Sequence, residues 1–280
     1  MQYRCVKCST PFSLHSEGGG IITCQRCSFQ YEYDKNYLKY EYDPILFEAY
    51  KEKYLLNKAL NNNGYLGYMF LPEGSLSMAE RDEVKNFRNY IRSFLSSGIL
   101  LDVGCGILPM PGYLDFEDKS KFEFYGLDPI DDKSFSGMRV VGCAEYMPFA
   151  DAQFDGVVLA TSLDHVCSPE KTIAECHRTL TVGGRVLIWM GDRSRLSMNR
   201  LKRWWENRKL NSLKGYQADK YIVYPNWTVL YVPDGAVDPY HSYNEDPKEV
   251  VSKMKAQGFQ HDDLVYKNTN EVFMSFKKVS

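Results

Sequence analysis

The amino-acid sequence changes character at residue 99, where short apolar runs begin to alternate with polar segments. These runs are rich in β-branched and aromatic residues, which predicts strands. In chain order they are ILLDV, FEFYGL, MRVVG, FDGVVLA and GRVLIWM. The segment SPEKTIAECHRTL lies between the last two runs, and its apolar positions recur at helical spacing. This alternation predicts an α/β fold, a doubly wound and mostly parallel sheet with helices on both faces.

Capping residues predict where the helices of this region begin and end. Ser168 is placed to cap the helix that follows it, Pro169 suits its first turn, and the Gly183-Gly184 pair is expected to end it. A later helix is expected to end at Gly258. The sequence DDLVYKNTNEVFMSFKKV then predicts a C-terminal antiparallel hairpin.

The segment 41–97 is predicted to be a helical linker. Its second helix is marked by the capping pair Ser77 and Glu80. After that pair, apolar residues recur at helical spacing: Val84, Phe87, Ile91 and Phe94. The loop NNNGYLGYMFLPEGS precedes this helix and carries several aromatic residues. Such a loop is either a packing element or a lid over a substrate.

The first 40 residues contain two C-x2-C pairs separated by fifteen residues, formed by Cys5, Cys8, Cys24 and Cys27. Two such pairs supply four thiolates, the tetrahedral ligand set that zinc prefers. The pattern predicts a small zinc ribbon over residues 1–40 whose folding depends on the metal. A redox-active cysteine pair is the alternative.

The composition does not favour any particular class of binding partner. The chain has 280 residues, a net charge of −2 and 44% hydrophobic residues, which is typical of a soluble globular protein. Neither a membrane-spanning run nor an apolar signal region is evident, so a cytoplasmic protein is expected. The net charge gives no general attraction to nucleic acid.

The first strand of the α/β region ends in a glycine turn, Asp102-Val-Gly104-Cys105-Gly106. Glycines let the backbone approach a ligand at the carboxyl end of a strand. Asp128 ends the next strand, where a carboxylate can accept ribose hydroxyl protons. The third glycine of a dinucleotide-binding turn is missing, and Pro109 lies where a helix would begin. A nucleoside without phosphates is therefore the favoured ligand.

Four motifs follow one another in the order of a known family: LDVGCG, GLDP, AEYMPFADAQFDGVVLATSLDHV and RTLTVGGRVLIW. Together they resemble class I S-adenosylmethionine-dependent methyltransferases, which have a Rossmann-like fold, over about residues 98–192. The turn GCGILP departs from the family's GCGxG. The resemblance implies S-adenosylmethionine as cofactor and extends the methyltransferase domain over 98–280. It also assigns residues to the cofactor. Asp102, Gly104 and Gly106 lie at its methionine end, Asp128 at the ribose, Ala144 and Glu145 beside the adenine, and Thr161 at the loop beside the sulfonium. Cys105 and Pro129 are also expected among the cofactor-binding residues.

Methyl transfer to a hydroxyl requires a base. His165, with Asp164 beside it, follows the fourth strand and is the first candidate. His241 is the second candidate. The alternatives are that His165 only packs beside the cofactor, Asp164 only caps a turn, and His241 lies on a surface loop.

The acceptor is predicted from an insertion at 192–215, which is rich in arginine and lysine and contains Trp204 and Trp205. Such a strip suits nucleic acid, a phosphorylated sugar or an anionic membrane, or else forms an amphipathic cover helix. A cysteine-rich module before a methyltransferase domain also resembles the large-subunit rRNA guanine methyltransferases. We favour a small-molecule acceptor, such as a sugar or sugar-phosphate hydroxyl. RNA is the alternative partner, and a non-catalytic cofactor-binding scaffold is the third possibility.

Overall fold

The computed structural model describes residues 1–14, 18–40, 81–192, 221–224, 228–231, 246–267 and 271–280. The predicted lid, the Ser77–Glu80 capping pair, the insertion beyond Asp192 and His241 lie outside these residues. Among the helices within these ranges, none is long and apolar enough to cross a membrane.

Fourteen strands are found in the described ranges. They are β1 (Tyr3–Arg4), β2 (Pro11–Phe12), β3 (Gly20–Thr23), β4 (Gln30–Asp34), β5 (Tyr37–Tyr40), β6 (Gly98–Val103), β7 (Phe122–Asp128), β8 (Met138–Val141), β9 (Phe154–Ala160), β10 (Leu180–Gly191), β11 (Tyr221–Tyr224), β12 (Thr228–Tyr231), β13 (Phe259–Tyr266) and β14 (Glu271–Lys278). Three α-helices accompany them: α1 (Asp82–Phe94), α2 (Pro169–Thr179) and α3 (Pro247–Ala256). Short 3-10 helices span Lys119–Lys121 and Leu163–His165.

The main sheet has the order β13-β14-β10-β9-β6-β7-β8-β5-β4-β3. The strands from β10 to β8 run parallel, and β14 pairs antiparallel with both β10 and β13. This confirms the predicted mostly parallel α/β fold with a C-terminal antiparallel hairpin. Because β6 lies between β7 and β9, the chain changes direction across the sheet at β6. In open sheets of this kind, a ligand crevice forms at the carboxyl ends of the strands beside that point.

The sheet is fixed by apolar side chains on both of its faces. Leu100 and Leu101 of β6 are both fully buried but belong to different apolar clusters. In α1, the predicted stripe buries Val84, Phe87 and Ile91. The ring of Phe87 lies 5.0 Å from that of Phe273 on β14, which holds α1 against the sheet.

One predicted helix end is wrong. Helix α2 begins as expected, since the side chain of Ser168 accepts a hydrogen bond from the amide of Lys171 at 3.3 Å. It ends at Thr179, however, and the Gly183-Gly184 pair lies inside β10. The pairing of β10 with β9 shifts register between Leu180 and Arg185, and Gly183 has φ +87. These glycines therefore lie at an irregularity within the strand, which is another common location for glycine.

The cysteine-rich segment is attached to the edge of the main sheet. Strand β5 pairs in parallel with β8, so that Tyr37 lies opposite Arg139 and Leu38 lies opposite Val140. Arg4 adds ion pairs to Asp151 at 3.1 Å and to Glu175 at 3.4 Å. Residues 1–14 and 18–40 are thus joined to the α/β sheet by backbone pairing and by charge.

Candidate cofactor and metal sites

The four N-terminal cysteines come together. Their sulfur atoms all lie within 4.8 Å of one another. The Sγ atoms of Cys5 and Cys27 are 3.5 Å apart, as are those of Cys8 and Cys24. A zinc ion bound at about 2.3 Å by four thiolates places the sulfurs about 3.8 Å apart. The predicted ligands therefore fit zinc, with no position left for substrate.

Two matching turns create this cluster. In the first, the amide of Ser9 donates to the carbonyl of Cys5 at 2.8 Å, and in the second, the amide of Ser28 donates to that of Cys24 at 2.9 Å. Ser9 and Ser28 have φ values of 60 and 58, in the left-handed region. Each turn folds back directly after its second cysteine, which brings its two sulfurs to one point.

The predicted glycine turn lies at the carboxyl end of β6, against the end of β9. Gly104 has φ +83, and a Cβ atom added there would lie 2.4 Å from the Cβ of Ser162. The hydroxyl of Ser162 donates to the carbonyl of Val103 at 2.6 Å. Gly104 is therefore required by its conformation and by its contact with the neighbouring strand. A Cβ at Gly106 (φ +63) would instead meet no described atom within 4 Å, so this glycine borders open space.

Asp102 is fully buried below this turn. The Tyr113 hydroxyl donates to Oδ2 at 2.9 Å, whereas Oδ1 has no hydrogen-bond partner among the described residues. Burial raises the pKa of the Asp102 carboxyl to about 7, although the bond from Tyr113 opposes the rise. A buried carboxylate oxygen without a partner is costly unless a ligand supplies a donor.

Asp128 and Arg139 form the second polar element of the site. The amides of Gly106 and Ile130 each donate to one oxygen of Asp128 at 2.9 Å. The carbonyls of the same two residues each accept from the Arg139 guanidinium at 2.6 Å. Burial raises the pKa of the Asp128 carboxyl, and Arg139, 4.0 Å away, opposes this rise. Each carboxylate oxygen still has acceptor capacity for a ribose hydroxyl.

Arg139 and Tyr113 were missed by the sequence analysis. Arg139 is only 1% exposed, in the middle of the apolar run MRVVG. The signal that could have identified Arg139 was its charge within a predicted buried strand, because a buried charge requires partners. Tyr113 lies in a proline-containing turn and gave no comparable signal.

The loop after β8 contains the residues predicted beside the adenine. Ala144 is buried. The Glu145 side chain accepts hydrogen bonds from the amides of Cys167 and Ser168 and so holds the start of α2. Cys105 is also buried, with its sulfur against the Arg139 guanidinium. Burial raises the pKa of the Cys105 thiol, which suits a packing residue.

The predicted base follows β9, the neighbour of β6. His165 lies in a 3-10 helix, with its Nε2 atom 3.8 Å from Oδ1 of Asp164 and 27% of its side chain exposed. Thr161, two residues before that helix, has φ +53, an unusual value for a β-branched residue. Backbone strain of this kind is concentrated at functional sites.

The site fits the cofactor that the sequence resemblance implies. The unpartnered oxygen of Asp102 suits the ammonium group of an amino acid, and Asp128 suits a ribose. The open space at Gly106 admits a ligand close to the backbone. Asp102, Asp128 and Thr161 lie at the carboxyl ends of three adjacent strands, so the structure brings these predicted residues to one edge of the sheet.

Comparison with known proteins agrees with this fold. Residues 101–188 match a family model described as a methyltransferase domain. A protein from Pyrococcus horikoshii OT3 is similar with a TM-score of 0.51 and 16% identity, over 75% of this chain and 97% of that chain. The 1,6-didemethyltoxoflavin-N1-methyltransferase of Burkholderia thailandensis, solved with 1,6-didemethyltoxoflavin and S-adenosylhomocysteine, has a TM-score of 0.54 and 13% identity, over 94% and 100%. At such identities the structures share a fold. No curated protein matches the chain.

Proposed function

We propose that this chain, whose residues 101–188 match a methyltransferase-domain model, transfers a methyl group from S-adenosylmethionine to a hydroxyl of a small molecule. The observation that carries the proposal is the pair of buried carboxylates, Asp102 and Asp128, on either side of the glycine turn. Within the described part of the chain, one oxygen of Asp102 has no hydrogen-bond partner, and Asp128 is held in place by two amides. This arrangement complements a nucleoside that bears a charged amino acid.

The bound cofactor supplies a methyl carbon activated by a positively charged sulfur. In this proposal Asp102 accepts a hydrogen bond from the ammonium group, Asp128 accepts from the ribose hydroxyls, and Gly104 and Gly106 leave room for the ligand. Ala144 and Glu145 lie beside the adenine, Pro129 follows the ribose-binding Asp128, and Thr161 lies at the loop beside the sulfonium. The protein then contributes mainly alignment of the acceptor with the methyl group.

His165 is proposed as the base that takes the proton from the acceptor hydroxyl. It follows β9, beside the glycine turn, and its partly exposed ring is accessible to an acceptor. Asp164, 3.8 Å from the ring, orients it and stabilises its protonated form. His241 stays the second candidate from the sequence.

Charge favours a small acceptor over RNA. Two cations of the cysteine-rich segment are engaged with the α/β sheet: Arg4 pairs with Asp151 and Glu175, and Lys39 pairs with Asp131 at 2.9 Å. RNA binding depends on cations that are available to phosphates. A sugar or sugar phosphate needs only a few polar contacts, and the basic residues at 192–215 provide candidates for an anionic group.

Two measurements test the proposal. Titration with S-adenosylhomocysteine should show saturable binding, and a chain that does not bind it is not a methyltransferase. A screen with radiolabelled S-adenosylmethionine should then give methylated sugars, sugar phosphates or nucleotide sugars. Transfer to rRNA fragments, with binding that weakens steeply as salt increases, would establish the RNA alternative. Cofactor binding without transfer to any acceptor class would favour a scaffold.

A further inference from the structure

The metal-binding segment ends in a strand that contacts two loops of the proposed cofactor site. Strand β5 pairs with β8, and the loop after β8 begins at Gly142. Tyr40, the last residue of β5, is 5% exposed and directed at this loop. Its hydroxyl accepts from the amide of Cys143 at 2.7 Å and donates to the carbonyl of Tyr146 at 2.7 Å. These two bonds bracket Ala144 and Glu145.

The fit between Tyr40 and this loop is close. A Cβ atom at Gly142 would lie 2.2 Å from the ring of Tyr40, so glycine is required for the ring to reach its position. On the neighbouring loop, which follows Asp128, the hydroxyl of Tyr37 donates to Asp131 at 2.6 Å. The ammonium group of Lys39 reaches the same carboxylate at 2.9 Å. One strand of the cysteine-rich segment therefore fixes both loops.

Aromatic contacts connect Tyr40 to the cysteine cluster. The amide of Val6, between Cys5 and Cys8, donates to the hydroxyl of Tyr31 at 2.8 Å. The Tyr31 ring lies edge-on to the ring of Tyr40, with 6.1 Å between centroids, and the two residues are paired across β4 and β5. The packing is thus continuous from the cysteine turns to the loop after β8.

We infer that Tyr40 is a positioning residue for the cofactor-binding loop, and that it couples metal binding by the four cysteines to affinity for the cofactor. This inference rests on the proposed function, in which the loop 142–146 lines the adenine. Without the Tyr40 hydroxyl, the buried amide of Cys143 loses its partner and the loop loosens. Metal and cofactor should then strengthen each other's binding, since such coupling is reciprocal.

The test compares Tyr40→Phe with the unaltered protein and with Tyr125→Phe as a matched control. Tyr125 also donates a hydroxyl hydrogen bond, but its acceptor is Glu123 in its own strand, β7, and not the loop 142–146. We expect Tyr40→Phe to weaken S-adenosylhomocysteine binding by about tenfold, with unchanged zinc content and faster hydrogen exchange at 142–146. The control should bind as the unaltered protein does. Chelation should weaken binding in the unaltered protein and change it little in Tyr40→Phe.

The outcomes separate this inference from the proposed function. If the unaltered, zinc-loaded protein does not bind S-adenosylhomocysteine, the proposed function fails. If it binds, and Tyr40→Phe lowers only the melting temperature while keeping the same affinity, Tyr40 is a packing residue and the inference is wrong. Should Tyr40→Phe not fold, chelation of the unaltered protein replaces it as the test; S-adenosylhomocysteine affinity that stays the same after zinc removal would overturn the inference.

Discussion

The ionisation of Asp102 gives a pH dependence that can be calculated. Its carboxyl is fully buried, and its pKa is raised from 3.8 to about 7. This difference corresponds to about 4 kcal/mol against the ionised form in the ligand-free protein. Because the folded-state pKa lies above the unfolded one, ligand-free stability should fall as pH rises from 3.8 to about 7 and level off above that. An ammonium group at Oδ1 favours the ionised form and should reverse this trend.

Binding of S-adenosylhomocysteine should therefore tighten as pH rises. With a pKa of about 7, the ionised fraction of Asp102 grows about tenfold between pH 6 and pH 8, and affinity should rise by a similar factor. Isothermal titration calorimetry at several pH values measures this directly. Adenosine, which lacks the amino acid group, is the control ligand, and its affinity should not follow this curve. The variant Asp102→Asn should remove the dependence and bind weakly throughout.

A flat affinity between pH 6 and pH 8 for the unaltered protein would refute the reasoning, since it would mean that Asp102 does not contact the ammonium group. The same dependence in Asp102→Asn would assign the titration to another residue.

Four further predictions concern single substitutions. His165→Ala should lower turnover by roughly 10²- to 10⁴-fold while S-adenosylhomocysteine affinity stays within about twofold; unchanged turnover in steady-state assays would exclude His165 as the base. Gly104→Ala should destabilise the fold by about 3 kcal/mol in denaturant titrations, because it combines strain at φ +83 with a clash against Ser162. Gly106→Ala should cost only about 1 kcal/mol but block the cofactor, and equal binding by this variant would place the ligand elsewhere. Cys24→Ser should lose bound zinc in metal analysis and lower the melting temperature, and full zinc retention would contradict the four-cysteine site.

The positions of Asp102 and Asp128 could be predicted from sequence because both follow apolar runs long enough to be buried strands. The carboxyl ends of adjacent parallel strands lie at the same edge of the sheet. Acidic residues at the ends of successive predicted strands were therefore expected to lie close together. The end of α2 could not be predicted in the same way. Gly183 lies at an irregularity in a strand. In the sequence, a glycine pair after a helical segment looks the same whether it ends the helix or lies within the next strand.

Contacts between distant segments were also beyond the sequence. The pairing of β5 with β8 joins residues about a hundred positions apart. Side-chain periodicity can predict a strand, but it does not show which other strand that strand pairs with. Tyr40 illustrates the consequence. It lies in a tyrosine-rich run, YEYDKNYLKYEY, in which each tyrosine is equally suited to packing. Only the register of β5 shows that this one reaches the loop after β8.

Arg139 explains why two buried carboxylates can share one site. Gly106 and Ile130 each donate an amide to Asp128 and offer a carbonyl to Arg139, so the same two backbone segments hold both groups of the buried pair. A lysine has a single point of attachment and cannot span two carbonyls with the planar geometry of a guanidinium. The arginine therefore fixes the glycine turn and the loop after β7 relative to each other before any ligand arrives. It lies 4.0 Å from Asp128, whereas Asp102 forms no ion pair with any residue that the structure describes. This asymmetry is the physical reason to expect a cation at the Asp102 end of the crevice and a neutral, hydroxyl-bearing group at the Asp128 end.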